Sequence, residues 1–433
     1  MVKRHKKNVG LLDINLCSGC GFCAAICPST AISLIVRNGF YKVNVDEDKC
    51  TGCKLCLKIC PRISNFDQSN SGLDHTKYNP LIGHYLAVFL CHASDYKLRF
   101  NASSGGCATA LLAYMLDKGL IDEAIIVVPD EKELMYAKAV ATSDTNTIRK
   151  SIGSKYTQVY MIDAIKRILM FRNKRFALVG LPCHIRALRN IERTLKLRNI
   201  TIRLGLYCGN LPSAWASEFL TYLYRFPKDR VKRISYRGLG WPGYLTIELV
   251  NGDKLCVPEP LYWRTGFGRY FYNTCCVLCS DHTNELADIS FADPAGVEEV
   301  ANDRLGHTLI VVRSRAGLKL LKAAERDGYI TLKKIPDKYA IQGTTILKKI
   351  NKTQDMVYKL LKVSQRPRYE YSLSFQFPIF MWLIDYLIGH KLAMNKKYWI
   401  FIPVWRRLSE IALLLLKIML RKNLRRCWYN SCS

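Results

Sequence analysis

Two cysteine runs near the N-terminus decide the first fold of this chain. The first reads Cys17-Ser-Gly-Cys20-Gly-Phe-Cys23-Ala-Ala-Ile-Cys27-Pro28, and the second reads Cys50-Thr-Gly-Cys53-Lys-Leu-Cys56-Leu-Lys-Ile-Cys60-Pro61. Both have the spacing C-x2-C-x2-C-x3-C-P, which places three thiolates around one 4Fe-4S cluster and sends the fourth cysteine to the other cluster. Paired C-x2-C elements also suit zinc. Two intact copies, each with its proline, favour iron–sulfur clusters.

The crossed fourth cysteine assigns the eight thiolates to two sets. These are Cys17, Cys20, Cys23 and Cys60 for one cluster, and Cys50, Cys53, Cys56 and Cys27 for the other. Between the runs, Ala31–Val36 and Tyr41–Val45 are predicted strands, and Asn38-Gly39 between them is typical of a tight hairpin turn. We therefore expect residues 10–63 to form a bacterial-type two-cluster ferredoxin fold.

The composition is that of a folded, multidomain and strongly basic protein. The 433 residues are 49% hydrophobic, which excludes wholesale disorder. Lysine and arginine number 65 against 35 acidic residues, and the resulting charge of +30 favours anionic partners. Phosphorylated cofactors, acidic proteins, nucleic acid and an anionic membrane all qualify on charge alone. The basic start leads into no apolar stretch typical of a secretory signal, so we expect a reducing cytoplasm, where clustered cysteines serve metal or redox chemistry.

A polar linker over residues 64–80 precedes an alternating pattern of strands and helices. Tyr85–Cys91 is a predicted strand, Ser103-Ser104-Gly105-Gly106 opens a predicted helix over Cys107–Lys118, and Ala124–Val128 is the next strand. This order favours a parallel α/β sheet. The Ser-Ser-Gly-Gly stretch suits a phosphate at a helix N-terminus, or serves only as a turn and N-cap. The segment Gly153–Gln158 is a second polar stretch with the same ambiguity.

Cysteines follow two further predicted strands. Cys183 comes after Arg175–Gly180, and Cys208 comes after Ile200–Leu206. Ligands gather at the carboxyl ends of strands in open α/β sheets, so these two thiols and the later pair Cys276 and Cys279 form a candidate third 4Fe-4S set. Two alternatives remain open at this point: buried structural cysteines, or a set in which Cys275 or Cys91 is a ligand.

Over roughly residues 10–345 the chain resembles the coenzyme F420 hydrogenase/dehydrogenase beta-subunit family, in particular members with a fused two-cluster ferredoxin. The resemblance rests on the order of several short motifs, namely Ser103–Gly106, Gly153–Tyr156, Gly180–Cys183, Tyr207–Gly209, Tyr236-Arg237, Cys276–Cys279, Asn284–Ser290 and Asp293. The chain departs from the family pattern at two positions. His184 stands where glutamine is typical, and Asn273 stands where arginine is usual. Both departures bear on the identity of the substrate.

The resemblance implies an iron–sulfur flavoprotein in which FAD exchanges a hydride with coenzyme F420 and a nearby 4Fe-4S cluster passes electrons singly. It supports Cys183, Cys208, Cys276 and Cys279 as ligands of that cluster. It also implies FAD contacts from two segments, which are Ser103, Ser104, Gly105 and Gly106 in the first, and Ser154, Lys155, Tyr156 and Gln158 in the second. No acid–base catalyst stands out, because His184, His282 and His307 are as easily structural as catalytic.

The C-terminal extension, residues 346–433, is basic and hydrophobic. Residues 371–390 carry one formal charge, Asp385, and residues 404–426 place charged side chains on a narrow stripe of a leucine-rich helix. Ten basic residues and one acid lie between Lys391 and Arg426. The pattern suits a helix that lies on an anionic membrane surface. A packed helical cap and a partner-binding helix are equal alternatives.

Together these patterns predict an α+β protein: a two-cluster ferredoxin fold at residues 10–63, a linker at 64–80, an α/β FAD and iron–sulfur domain at 81–345, and a helical extension. The expected function is hydride exchange between FAD and coenzyme F420 coupled to one-electron transfer to a redox partner protein or ferredoxin. The alternatives are a reductase of another small molecule, such as a lipid or glycan precursor, and a non-catalytic electron-relay subunit. We expect a cytoplasmic protein that is peripheral to the membrane if the extension docks there, and we expect no nucleic-acid partner.

Overall fold

A hairpin separates the two cysteine runs. In the computed structural model, which describes residues 8–11, 16–63, 77–341 and 377–412, strands β1 (Ile32–Arg37) and β2 (Phe40–Val45) pair antiparallel. Asn38 and Gly39 have φ values of 52° and 75°, the left-handed conformation that suits a two-residue turn. The hairpin prediction is confirmed. The short helices α1 (Phe22–Ile26) and α2 (Leu55–Ile59) lie within the two cysteine runs.

A nine-stranded mixed sheet forms the centre of the molecule. Its strands are β5 (Ala87–Ala93), β6 (Glu123–Pro129), β7 (Ala137–Thr142), β8 (Val159–Tyr160), β9 (Phe176–Gly180), β10 (Ile200–Leu206), β14 (Ile289–Ala292), β15 (Thr308–Val312) and β16 (Ile330–Lys334). Their order across the sheet is β16-β5-β15-β14-β10-β9-β6-β7-β8. Strands β6, β9, β10 and β14 run parallel, which brings the carboxyl ends of β9 and β10 together.

The expectation of a parallel sheet is correct for this central part and wrong at its edges. Strand β5 does not lie beside β6, because it pairs antiparallel with both β15 and β16. Strand β7 likewise pairs antiparallel with β6. The loop that follows β5 therefore faces the start of β15, and this proximity determines which residues surround the Ser-Ser-Gly-Gly stretch.

Helices cover both faces of the sheet and complete two hydrophobic cores. Helices α6 (Ile162–Met170) and α7 (Pro182–Leu195) pack on one face, together with Phe22 of α1 and Ile59 of α2. Helices α4 (Cys107–Asp117) and α12 (Arg315–Arg326) pack on the other face. The ferredoxin part thus shares one continuous core with the α/β part. The other α-helices within residues 77–341 are α3 (Tyr96–Asn101), α5 (Thr145–Lys150), α8 (Ala214–Leu223), α9 (Glu259–Trp263), α10 (Phe267–Tyr270), α11 (Thr274–Val277) and α13 (Lys338–Ile341).

Two small sheets lie beside the main one. Strands β3 (Lys77–Asn79) and β4 (Gly83–Tyr85) form a hairpin at the end of the predicted linker, most of which lies outside the described residues. Strands β11 (Val231–Ser235), β12 (Tyr244–Leu249) and β13 (Lys254–Pro258) form an antiparallel sheet. This sheet packs on an aromatic core that includes Tyr236, Phe267 and Trp399.

The C-terminal extension is fastened to this aromatic core through helix α14 (Phe377–Ala393) and the 3-10 helix Lys396–Phe401. The buried Asp385 carboxylate accepts hydrogen bonds from Tyr270 (2.8 Å) and from Arg269. Trp399 is buried against Phe219 and Phe271. Within the described parts of the chain, no helix is both long and apolar enough to cross a bilayer. Residues 413–426 of the predicted amphipathic helix lie outside the described residues.

Candidate functional site: three cysteine sets and a loop cluster

The first cysteine set surrounds one cavity. A single pocket is lined by Cys17, Cys20, Cys23 and Cys60, the four thiols predicted to share a cluster. Burial, together with the neighbouring thiols, raises the pKa of Cys20 to about 12, and burial raises the pKa of Cys60 to about 11. Thiolates in such a place need compensating positive charge, which the irons of a cluster supply. The donor set therefore fits the cluster that the sequence predicts.

The second set surrounds a pocket of its own, which is lined by Cys50, Cys53, Cys56 and Cys27. Asn8 donates to the Cys50 sulfur (3.6 Å) and to Glu47 (2.8 Å). Cys53 is exposed, whereas Cys20 and Cys60 of the first set are buried. The structure thus brings together the two crossed sets, and the second set lies nearer the protein surface.

Neither cysteine set has the geometry of a site for a single metal ion. Among the residues that the structure describes, no three or more His, Cys, Asp or Glu side chains are close enough together to hold a single metal ion. A four-iron cluster is wider than one ion, so its thiolates line a cavity instead.

The third predicted set is assembled from distant parts of the chain. Cys183 and Cys208 follow the adjacent strand ends of β9 and β10, and the backbone N–H of Cys208 donates to the His282 carbonyl (2.9 Å). Helix α11 and the turn after it supply Cys276 and Cys279. Burial raises the pKa of Cys183 well above its usual range, and the charges of Cys20, Cys208, Cys279 and Cys276 raise it further. The other three predicted thiols, and Cys20 of the first set, therefore lie close enough to Cys183 to affect its charge.

The two alternative ligands of this set have different places. Cys91 is bonded to Cys107 in a buried disulfide between β5 and the first residue of α4, so it is not available as a ligand. The expectation of metal or redox chemistry concerned the clustered cysteines and does not extend to this pair, which lies where the strand end and the helix start meet under the Ser-Ser-Gly-Gly loop. Cys275 is buried with its sulfur 4.0 Å from that of Cys276, and it stays an alternative ligand.

The first and third sets meet at a close junction. The Asn273 side chain donates to the Cys17 carbonyl (2.7 Å) and accepts from the Cys275 N–H (3.3 Å). The buried His184 ring stacks on Phe22 with 6.0 Å between ring centroids, and burial lowers the pKa of His184 to about 4. Both departures from the family pattern therefore lie between the cysteine sets, where they contribute to the junction.

The Ser-Ser-Gly-Gly loop is held between two partners. Ser103 Oγ accepts hydrogen bonds from the Ser154 N–H (2.6 Å) and is 2.8 Å from Ser154 Oγ, which joins the two predicted FAD segments. On the other side, Ser104 Oγ donates to the His307 carbonyl and the Gly105 N–H donates to Thr308 Oγ1 (3.0 Å). A Cβ at Gly105 would lie 2.5 Å from the Cys91 carbonyl oxygen, so this position requires glycine. Gly106 is the N-cap of α4, and the positive end of the helix dipole faces the loop.

The second predicted FAD segment divides into two parts. The Lys155 ammonium donates to the Gly153 carbonyl (2.8 Å) and to two neighbouring carbonyls, and burial lowers its pKa to about 7. The Tyr156 ring packs on Trp263, with 5.1 Å between centroids. Gln158 lies apart from these residues, because its buried amide donates to the Pro212 carbonyl (3.1 Å). Ser154, Lys155 and Tyr156 thus lie beside the loop, whereas Gln158 is buried and bonded to the Pro212 carbonyl.

Arg237 joins both segments, and sequence reasoning did not select it as a site residue. Its buried guanidinium donates to the Ser103 carbonyl, Tyr156 Oη (3.3 Å), Asp293 (3.1 Å) and the Pro242 carbonyl (2.6 Å). The pKa of the nearby Glu259 is raised, mainly by burial. The Arg237 charge opposes this shift, and the Asp293 charge adds to it. The signal for Arg237 was present as the Tyr236-Arg237 and Asp293 motifs. No local pattern indicates its contacts with Ser103, Tyr156 and Asp293, because these residues come from separate parts of the chain.

Three family models match the chain. The 4Fe-4S dicluster domain matches residues 11–65, the N-terminal part of the coenzyme F420 hydrogenase/dehydrogenase beta subunit matches residues 88–166, and the C-terminal part matches residues 173–338. The chain belongs to the coenzyme F420 hydrogenase/dehydrogenase beta-subunit family. It is accordingly an oxidoreductase of this beta-subunit type with an N-terminal iron–sulfur dicluster domain, and the predicted resemblance is confirmed.

Two curated relatives and one solved structure illustrate the family. The beta subunit of an F420-dependent formate dehydrogenase from Methanocaldococcus jannaschii is 28% identical over 65% of this chain and 69% of its own length. A coenzyme F420-dependent sulfite reductase from the same organism is 23% identical over 75% of this chain and 48% of the relative. A chain of the F420-reducing [NiFe] hydrogenase complex from Methanosarcina barkeri has a TM-score of 0.52 at 21% identity, covering 68% of this chain and all of that chain. That likeness supports the fold.

Proposed function

We propose that this protein is an iron–sulfur flavoprotein that couples hydride exchange between FAD and coenzyme F420, or its reduced form, to one-electron transfer to a redox partner protein. A bound flavin supplies hydride chemistry, and 4Fe-4S clusters supply single-electron steps. The observation that carries the proposal is the junction between the two parts of the chain. Cys183 and Cys208 follow the adjacent strands β9 and β10, and Asn273, three residues before Cys276, donates to the carbonyl of Cys17 in the first set (2.7 Å). The α/β part and the ferredoxin part thus meet at their candidate redox groups.

The loop cluster, which consists of Ser103–Gly106, Ser154–Tyr156 and Arg237, is the part that would hold FAD. Gly105 and Gly106 let a phosphate approach the start of α4, where the helix dipole favours negative charge. Lys155 and Arg237 bring two basic side chains beside the same loop. Their carbonyl and carboxylate partners fix both side chains in place, which suits a site that must be ordered before its anionic ligand binds.

The cysteine sets would provide a path from the sheet to the surface. The third set lies at the carboxyl ends of β9 and β10, the first set adjoins it through Cys20, and the second set carries the exposed Cys53. We place the contact with the redox partner protein, a ferredoxin or another subunit, at the second set. The assembly of the M. barkeri relative within a hydrogenase complex supports a protein partner.

Anaerobic optical titration tests this function. Purified protein should contain flavin that is bleached by reduced coenzyme F420 and not by NADH. Ser103→Ala should weaken flavin binding about three- to tenfold, because it removes the contact with Ser154. Ser94→Ala, at an exposed position on the same connection, is the matched control and should bind flavin normally.

A second candidate is a reductase of another small molecule that uses the same cofactors, such as a lipid or glycan precursor. The sulfite reductase relative favours it, because its name shows that this family includes proteins named for other substrates. Flavin that is indifferent to reduced coenzyme F420 would support this candidate. Protein that binds no flavin would instead indicate a non-catalytic electron-relay subunit.

A further inference from the structure

The C-terminal segment carries an exposed apolar stripe. Ile400, Phe401, Val404, Leu408 and Ile411 are each 54–62% exposed. Their spacing puts them on one side of the helical segment 396–412. Single exposed apolar side chains are normal on a protein surface, whereas a continuous stripe marks a contact site.

The stripe is held outward by the opposite side of the same segment. Trp399 and Ile402 are buried in the aromatic core, and Trp405 Nε1 donates to the Asp385 carbonyl (3.4 Å). Tyr270 and Arg269 fix Asp385 in turn. The segment therefore has no rotation available that would bury the stripe against the domain without unpacking its buried residues.

The charges around the stripe are positive. Lys397 and Arg407 are exposed on the same segment, Lys391 is exposed near the end of α14, and the acidic Glu410 is paired with Arg406 (2.5 Å). The described residues 391–412 contain five basic residues and one acid. A second copy of this chain would bring two such surfaces face to face, and their like charges would repel each other. An anionic surface is the complementary partner.

We propose that the stripe Ile400, Phe401, Val404, Leu408 and Ile411 docks in the plane of an anionic membrane surface. A ridge of bulky apolar side chains rimmed by lysine and arginine is the pattern of a helix that lies at the headgroup boundary. The partly exposed Tyr398, which has an apolar ring and a polar tip, suits the same interface. The redox sites would then face substrates or acceptors that reside at the membrane.

Vesicle flotation of the full-length protein tests the proposal. The protein should float with vesicles of phosphatidylcholine and phosphatidylglycerol, and poorly with phosphatidylcholine alone. Higher salt should weaken binding without abolishing it, since apolar burial is insensitive to screening. Phe401→Ser/Leu408→Ser should lower the partition coefficient at least about tenfold. Lys397→Gln/Arg407→Gln should lower it about fivefold for each charge removed, on anionic vesicles alone.

The control replaces equally exposed apolar side chains elsewhere. Met170 and Val250 are 75% and 65% exposed, and Met170→Ser/Val250→Ser should float like the wild type. All variants should keep the wild-type iron and flavin content, which separates this proposal from the proposed redox function. Failure of the wild type to float on anionic vesicles would overturn membrane docking, and so would equal flotation of Phe401→Ser/Leu408→Ser. A dimer or a protein complex that only this variant loses would also overturn it, by assigning the stripe to a protein contact.

Discussion

The N-terminal cysteine sets and the loop cluster around Arg237 are assembled over very different distances in sequence. Residues 17–60 supply all eight thiols of the first two sets. In the loop cluster, Ser103 and Arg237 are 134 residues apart, and Ser104 and His307 are 203 residues apart. A local site is specified by spacing, whereas the loop cluster depends on the packing of the whole sheet. Damage to the first should stay local, and damage to the second should affect several segments at once.

The third cysteine set gives the largest test of this difference. It combines two strand ends with a distant short helix, yet it adjoins the local first set through Cys20. We expect Cys276→Ser/Cys279→Ser to lower the iron content of reconstituted protein from about twelve to about eight per chain, because only the third cluster is lost. Iron analysis with electron paramagnetic resonance of the reduced protein measures this.

Two cysteine controls accompany this experiment. Cys256 is exposed on β13, and Cys275 is the buried neighbour of Cys276. Both Cys256→Ser and Cys275→Ala should retain all the iron. An unchanged iron content in the double variant would exclude the third cluster. Loss of iron in Cys275→Ala would show that Cys275, and not its neighbour Cys276, is the ligand.

Arg237 tests the opposite kind of site. Arg237→Met leaves Asp293 and three other acceptors without their donor, so we expect a loss of about 3 kcal/mol in the free energy of unfolding. Flavin should be lost, while the eight irons of the N-terminal sets remain. Urea unfolding, flavin absorbance and iron analysis give the three values. The exposed Arg230→Met should change stability by less than about 0.5 kcal/mol. A normal flavin content in Arg237→Met would show that flavin binding does not depend on the contacts of Arg237.

The sequence predicted the elements whose cause is local. The hairpin follows from Asn38-Gly39, and the strand Ile200–Leu206 has the bounds that its apolar run predicts. The crossed cysteine sets follow from two repeated spacings. Strand neighbours are a different matter, because β5 pairs with β15 and β16 through contacts more than two hundred residues away in sequence. Three side-chain contacts of Arg237 likewise join residues 56 to 134 apart in sequence. The Cys91–Cys107 disulfide, in contrast, joins residues only 16 apart, and no cysteine pattern in the sequence indicated it.

The C-terminal extension shows the same limit. Its apolar and basic composition was visible in the sequence, but the contacts that anchor it were not. Asp385 stood out as the one charge in residues 371–390, and its partners Arg269 and Tyr270 come from α10. The partners of this charge lie 115 and 116 residues earlier in the sequence, so only the fold could identify them.

Substitution of Gly105 should have a smaller effect on stability. Comparison with Gly328 distinguishes steric crowding of a new side chain from backbone strain. Gly105→Ala would place a Cβ 2.5 Å from one backbone atom and 2.7 Å from another, so we expect a loss of about 2–3 kcal/mol in stability and weaker flavin binding. Gly328 has a positive φ of 78° and open space around it, and Gly328→Ala should cost about 1 kcal/mol through backbone strain alone. Urea unfolding compares the two. Equal losses of stability in the two variants would show that the loop at Gly105 can move to accommodate the added methyl group.

Lys155 provides the smallest and most selective test, through pH. Burial, reinforced by the Arg233 charge, lowers its pKa to about 7 from an ordinary value of 10.5. Between these pH values the unfolded chain binds a proton that the folded protein does not, so this group makes stability rise with pH by at most about 1.4 kcal/mol per pH unit. Below pH 7 both states are protonated, and the burial penalty stays constant.

The measurement is the difference between wild type and Lys155→Met in urea unfolding free energy at several pH values. We expect wild type to gain stability relative to the variant as pH rises above 7, with the gain ending near 10.5. Lys49→Met is the control in the ferredoxin part, because its side chain is 66% exposed beside Asp46 and its difference from wild type should stay flat over this range. Parallel pH profiles for wild type and Lys155→Met would show that the ammonium is as well stabilised by its three carbonyl partners as by water, and that the loop cluster holds a permanent positive charge.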